Sequence, residues 1–278
     1  MTQDWRGDTR AGGPGPAVSA AEPARPAGSF QCLLDLDPDL ADELRPEVRR
    51  LVRAAATALT FEIDAGPPPV RQWLGQATGG LGLLVLDGVL ALNVRVGDRV
   101  SSELIGAGDL LQPVASQADE LLSCDVGWRA LTPIHVALLD RGFSKRVRFW
   151  PELSQALLRR AGRRLVSLDI QRAIAAQPRL EVRLALLLWH LASRWGKVEP
   201  GGVRLPIPLT HQLLGQLIGA ERPSVSHALA RLAHATLVTG HGDEWHLHGA
   251  IDDQLPEVIE PANGRAAQIV AAVASRSR

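Results

Sequence analysis

The segment Leu209-Thr210-His211-Gln212-Leu213-Leu214-Gly215-Gln216-Leu217-Ile218-Gly219-Ala220-Glu221-Arg222-Pro223-Ser224-Val225-Ser226-His227-Ala228-Leu229-Ala230-Arg231-Leu232 reads as two short helices and the turn between them. Thr210 is placed to cap the first helix, whose buried side is Leu214, Leu217 and Ile218. Leu213 stands where a Glu or Gln would complete a capping box. Gly215 lets a second helix cross closely, and Gly219 suits the left-handed turn that a Cβ disfavours. Pro223 fits the first turn of the next helix. Val225, Ala228, Leu229 and Leu232 then face inward, leaving Arg222, Ser224, Ser226, His227 and Arg231 outward. A small residue, a glycine four positions later and a valine six after that is helix-turn-helix spacing, in which the second helix enters the major groove. Spacing alone also fits an αα-corner of an enzyme, so the flanks matter.

Val203-Arg204-Leu205-Pro206 before the motif and Leu237–Leu247 after it are short strand signals, the second with a hairpin around Gly240–Asp243. Together they predict a winged helix. Upstream, Pro151 sits at the first turn of a helix expected over 149–176, with Leu153, Leu157, Ala161, Leu165 and Leu168 at helical spacing and Arg159, Arg160, Arg163 and Arg164 on its other faces. A further helix is expected over Leu180–Trp195. Residues 70–140 change period. Leu83–Leu86 is followed by Asp87-Gly88, read as a hairpin turn. Alternation then runs through Leu90, Leu92, Val94 and Val96, Gly97-Asp98 turns again, and Val100–Ile105 makes a third strand. Short strands with close turns argue for a β-roll. Phe30–Thr60, with Leu33, Leu36, Leu40, Leu44, Val48, Leu51 and Val52, is expected to be helical until Pro67-Pro68-Pro69. Residues 1–28 lack apolar periodicity and are expected to be a disordered leader.

The formal net charge of zero, from 30 basic and 30 acidic side chains, is a cancellation. Residues 1–140 carry 11 basic and 19 acidic groups, 141–250 carry 16 and 7, and 251–278 carry 3 and 4. Sign asymmetry of this kind suggests a nucleic-acid partner for the positive part. A hydrophobic content of 46% excludes wholesale disorder. Two cysteines, Cys32 and Cys124, are too few for a disulfide framework or a cysteine-ligated cluster. No apolar run approaches the ~20 residues that span a bilayer. A soluble, cytoplasmic protein without a membrane partner is expected.

Over about 179–249 the chain resembles the Crp/Fnr superfamily of bacterial transcription regulators. The residues that carry the likeness are Arg183-Leu184, Leu188–Ala192, Arg194-Trp195-Gly196 and Gly219–Ser226. The resemblance is looser over 70–177, where the family has a cyclic-nucleotide-binding-like roll and a long dimerisation helix. It implies an α+β chain: a leader (1–28), an N-terminal β-roll (29–140), a dimerisation helix region (141–177), a C-terminal winged helix-turn-helix (178–250) and a tail (251–278). It implies a homodimer on double-stranded DNA with a pseudo-palindromic operator, RNA polymerase as a further partner, and no catalytic residues. By position, Arg222, Pro223, Ser226 and His227 would face bases, with Arg222 bidentate to guanine. Thr210, Gln212, Ser224 and Arg231 would contact phosphates, which fix register. Pro223 stands where the best-known members have Glu, so their operator is not assumed here.

Cyclic-nucleotide binders of this family carry a Gly-Glu pair for the ribose and an Arg-Ser or Arg-Ala for the phosphate. Gly108–Pro113 leads into that cassette, but the Glu is missing. Ser123-Cys124-Asp125-Val126 sits near the phosphate position, where Asp125 would repel the ligand. Arg129-Ala130 is a displaced match belonging to the next strand. A buried phosphodiester without a paired cation is hard to bind, so standard cyclic AMP binding is not expected and the effector is left unassigned. Seven of the eight histidines fall within 179–250. His241, His246 and His248 cluster on the wing, but no carboxylate or cysteine set accompanies them and no metal or other cofactor is expected. His135, on an expected strand, is read as structural. The rival reading, a metal-dependent β-barrel enzyme, needs ligands on barrel strands, and 70–140 offers only His135.

Overall fold

A computed structural model describes residues 28–112 and 124–250. Residues 1–27 of the expected leader (1–28), the segment 113–123 with Pro113 and Ser123, and the tail from 251 lie outside the described residues. In chain order the first elements are β1 (Ser29–Cys32), α1 (Leu33–Leu36), α2 (Pro38–Asp42), α3 (Pro46–Val52) and β2 (Thr57–Ile63). The continuous helix expected over Phe30–Thr60 is therefore three short helices between two strands. Prolines explain the breaks: Pro38 and Pro46 lack the N–H that would continue a helix and instead begin new ones. Asp37 caps α2, accepting from the Leu40 N–H at 2.9 Å. The apolar spacing nonetheless identified inward positions, since Leu33, Leu40, Leu44, Val48 and Val52 are buried.

After α4 (Val70–Gln76), β3 (Gly82–Asp87), β4 (Val89–Val96), β5 (Arg99–Gly106), β6 (Leu110–Leu111), β7 (Asp125–Ala130) and β8 (Ile134–Leu139) complete a roll of two antiparallel sheets. Their orders are β1-β2-β8-β3-β6 and β5-β4-β7. Gly97-Asp98 closes the β4–β5 hairpin, with Val96 opposite Arg99 and Val89 opposite Gly106. Asp87-Gly88 does not close a hairpin. β3 pairs with β8 and β6, while β4 pairs with β5 and β7, so the turn is the corner where the chain changes sheet. Gly88 has φ +85°, and a Cβ there would lie 2.1 Å from the Pro133 carbonyl oxygen. Local turn chemistry marks a change of direction but not which strands pair afterwards. Leu83–Leu86 of β3 is uniformly apolar because it is covered on both faces. Leu83 and Val85 enter the roll interior with Phe61, Trp73, Leu90, Ile105 and Val136. Leu84 and Leu86 face a second core built from α1, α2 and the first half of the long helix.

That helix, α6 (Pro151–Ala175), follows α5 (Arg141–Val147), which Asp140 caps. At 1.5 Å per residue its 25 residues reach about 37 Å. Leu153, Ala156 and Leu157 are buried, while Leu158, Leu165, Val166 and Ile170 are 60, 63, 59 and 42% exposed. α7 (Leu180–Trp195), β9 (Lys197–Glu199), β10 (Gly202–Leu205), α8 (His211–Ile218), α9 (Arg222–His234), β11 (Val238–His241) and β12 (Glu244–His248) form the C-terminal part, with sheet order β11-β12-β10-β9. Its core includes Val89, Ala91 and Leu104 from the outer face of the roll's smaller sheet, so the two parts are packed together. Among the described residues no helix is long and apolar enough to cross a membrane.

Candidate nucleic-acid interface

The helix-turn-helix forms as the spacing predicts. Thr210 adopts extended backbone and its hydroxyl accepts from the Leu213 N–H at 3.1 Å, capping α8. Gly219 ends that helix at φ 69°, ψ 39°, a left-handed conformation costly for residues with a Cβ. Gly215 is required by the turn rather than by the second helix. A Cβ there would sit 2.4 Å from the Ala220 carbonyl oxygen and an ordinary 3.5 Å from Val225. Val225, Ala228, Leu229 and Leu232 of α9 are buried against α7 and the wing residues Val238, Trp245 and Leu247.

This packing turns Arg222, Pro223, Ser224, His227 and Arg231 outward, all exposed, as are Thr210 and Gln212 on α8. Arg231 is not idle: it forms an ion pair with Glu181 of α7. Ser226 is half-buried and internally engaged. Its hydroxyl donates to the Arg222 carbonyl at 3.1 Å and lies 2.8 Å from Nδ1 of His211. The Ser226 hydroxyl thus sits between the Arg222 carbonyl and the His211 ring. His211 thereby ties the first turn of α8 to the first turn of α9. The sequence reading missed it because its signal, a polar residue beside a cap, is common to solvated helix ends.

On the wing, Arg204 bonds Glu199 at 2.5 Å and Glu244 at 2.7 Å. The Glu199 bond, then Glu244, holds its guanidinium above the ordinary arginine range. His241 and His246 meet edge to face at 5.8 Å, and His248 Nε2 lies 2.8 Å from the Thr239 hydroxyl. Among the described residues no set of three or more His, Cys, Asp or Glu is arranged to hold a metal ion.

The winged part is docked on the roll. Arg99, at the start of β5, forms an ion pair with Glu221, the residue that precedes α9. Ser102 donates to Asn93 at 2.7 Å and approaches Gln216 of α8 at 3.3 Å. Gln171 of α6 bridges both sides, donating to the carbonyls of Ser102 (2.9 Å) and Leu217 (2.8 Å). Between the parts lies a cleft of about 720 Å³, lined on one side by Asn93, Arg95 and Arg129 and on the other by Thr210, Gln212 and Gln216. Arg129 thus faces this outer cleft, while its neighbours Trp128 and Ala130 serve the roll interior. Asp109 is buried and accepts from the Gly106 N–H at 2.9 Å and from Arg194 at 2.7 Å. His135 is half-buried on β8, and its Nε2 has no hydrogen-bond partner among the described residues.

The arginines of α6 have partners. Arg159 and Arg163 bond Glu43, Arg160 bonds Asp37, and Arg164 is bidentate to Glu103 at 2.7 and 2.8 Å. Much of the positive charge of 141–250 therefore neutralises the acidic N-terminal part. The expectation that this surplus faces DNA fails for α6, because complementary charges within one chain pair on folding.

Comparison with known proteins bears first on the helix-turn-helix part. Residues 182–248 match the Crp-like helix-turn-helix domain. Over that segment the chain is similar to Crp-like regulators. A CRP-like cAMP-activated global transcriptional regulator of Mycobacterium tuberculosis is 35% identical over 108 residues, 37% of this chain and 47% of that protein. The chain thus spans about half the length of the curated relatives it matches. Two solved structures share the fold over more of the chain. A CooA mutant from Carboxydothermus hydrogenoformans superposes with a TM-score of 0.55 at 17% identity, covering 84% of this chain and 98% of that one. FixK2 from Bradyrhizobium japonicum gives 0.53 at 17% identity, covering 74% and 99%.

Proposed function

We propose that this chain is a Crp/Fnr-type regulator: a homodimeric, sequence-specific DNA-binding transcription factor of the cytoplasm, acting by binding rather than by catalysis, with RNA polymerase as its partner at the promoter. The observation that carries the reading is the exposed face of α9, where Arg222, Pro223 and His227 project from a helix whose opposite side is buried. Arg222 reads guanine, and His227 and Pro223 shape neighbouring positions. Ser226 acts through His211 to set the angle of α9. Thr210, Gln212, Ser224 and, on leaving Glu181, Arg231 hold phosphates. The exposed seam of Leu158, Leu165, Val166 and Ile170 on α6 is where two copies join, spacing their recognition helices about one DNA turn, ~34 Å, apart.

In the docked arrangement the β4–β5 hairpin lies beside the N-terminal end of α9, the end that enters the groove. DNA engagement therefore requires the Arg99–Glu221 pair to open. Standard cyclic AMP binding is not part of the proposal. Arg129 faces the outer cleft and Asp109 is committed to Arg194, which leaves no described cation for a phosphodiester inside the roll. Selection of bound duplexes from a random library tests the proposal. Enrichment of a pseudo-palindrome, with affinity falling steeply as salt rises, supports it. Recovery of unrelated sequences at every salt concentration refutes sequence-specific reading.

A further inference from the structure

A second cavity, of about 540 Å³, lies outside the roll interior where three parts of the chain meet. The β5–β6 turn contributes Gly108, α6 contributes Arg160, Arg163 and Ser167, and the end of α7 contributes Arg194 and Trp195. Its volume falls within the ~300–1,000 Å³ of small-molecule sites. The lining has more hydrogen-bond donors than acceptors. Arg160 is 5% exposed. Its Nη2 is spent on Asp37 at 2.8 Å, and its Nε lies 3.4 Å from Glu43. Its Nε has no hydrogen-bond partner among the described residues, and its Nη1 borders Gly108, where a Cβ would stand 2.3 Å away. Gly108, at φ +84°, therefore lets the guanidinium pack closely against its backbone at the cavity wall.

Arg163 gives one nitrogen to Glu43 at 3.0 Å and keeps two. Arg194 gives Nη2 to the Ala107 carbonyl and Asp109, and its plane lies 4.6 Å over the Trp195 ring. Among the acceptors of the lining, Asp109 is taken by two donors and the Ser167 hydroxyl lies 3.1 Å from His190 Nε2, while Asp39 is an exposed carboxylate. His190 is held below the ordinary histidine range, by burial first and by Arg194 second, so this wall already disfavours further positive charge. Three guanidinium groups with spare N–H donors suit an acceptor-rich anion.

We propose that this three-way cavity binds a small polyanion, a phosphate ester or a polycarboxylate, through Arg160, Arg163 and Arg194. Such a ligand would touch the roll, the long helix and the winged part at once, so its occupancy fixes their relative placement. The site stands independently of the DNA-reading proposal.

The test uses the full chain without DNA, titrated with inorganic pyrophosphate and with citrate at ionic strength matched by chloride. Calorimetry and the fluorescence of Trp195 in a variant lacking the other tryptophans report binding. Arg160 and Arg194 also brace the fold, so the diagnostic variant is Arg163→Gln, whose side chain is 58% exposed. Lys145→Gln, an exposed residue on α5, removes equal charge elsewhere. Saturation at one site per chain is expected, at least tenfold weaker in Arg163→Gln and unchanged in Lys145→Gln. The tighter of the two probes names the ligand class. A response that chloride reproduces, or that both variants weaken equally, overturns the site and leaves the DNA reading untouched.

Discussion

The arginines of α6 and those of α9 look alike in the sequence and do different work. On α6, Arg159, Arg160, Arg163 and Arg164 lie against an acidic N-terminal part and are taken up by Glu43, Asp37 and Glu103. On α9, Arg222 leaves the first turn of a helix whose neighbours are polar and exposed. A cation's role is set by what the fold brings to it. Charge counted along the chain cannot separate the two cases, because the carboxylates paired with α6 lie some 60 to 120 residues away.

The largest effect that can break this contrast is Arg160→Ala. It leaves Asp37 buried without its cation, and loss of one partner of a buried pair costs about 3–5 kcal/mol. Denaturant unfolding measures it, and an unchanged midpoint would mean that α6's arginines are surface charges after all. Arg222→Ala should do the reverse, leaving stability within about 0.5 kcal/mol while weakening operator binding by ~1–3 kcal/mol. Fluorescence anisotropy against the selected operator and a scrambled one reads that difference. Thr210→Ala removes the cap of α8 and should cost about 1 kcal/mol of stability, with a further small loss of phosphate contact. If only DNA binding falls, the hydroxyl is a contact and not a cap.

The His190 prediction concerns pH. Burial and Arg194 depress its folded-state affinity for a proton, so the unfolded chain binds that proton more readily. Its stabilising contribution is complete above about pH 6.5, the unfolded histidine value, and declines as pH falls below it. Tm measured from pH 7.5 to 5.5 should drop less in His190→Gln than in the parent chain, and identical slopes would remove the claim. The smallest expected effect is at Arg99. Arg99→Ala releases Glu221 and should raise operator affinity a few-fold by favouring the undocked form. A fall instead would make Arg99 a phosphate contact from the roll.

The same contrast explains what could be read in advance. In the winged part the determinants are local. Thr210 caps, Gly219 turns and Val225 packs within one short segment, so periodicity and turn chemistry were sufficient. In the roll they are not. Asp87-Gly88 has the composition of a hairpin turn, yet β3 pairs with β8, some 50 residues on, because both faces of Leu83–Leu86 must be covered. Leu33, Leu40, Leu44, Val48 and Val52 point inward as a helix would direct them, but Leu51 is exposed and Pro38 and Pro46 break that helix into pieces. At the site, the outward positions of Arg222, Ser224, His227 and Arg231 were legible from spacing, whereas the half-buried, internally bonded Ser226 and its partner His211 were not. Its role depends on a 2.8 Å contact to Ser226, fifteen residues away across the turn.

The most direct test of the central claim, that the exposed face of α9 reads base sequence, is a cycle between one residue and one base pair. Affinity is measured for the parent chain and for Arg222→Ala on the selected operator, and on operators with each symmetric pair of guanines replaced in turn. The proposed reading predicts that Arg222→Ala abolishes discrimination at one symmetric pair of positions and keeps it elsewhere. A uniform loss at every position, or none, would show that Arg222 contacts phosphate or nothing, and that α9 is not the reading helix.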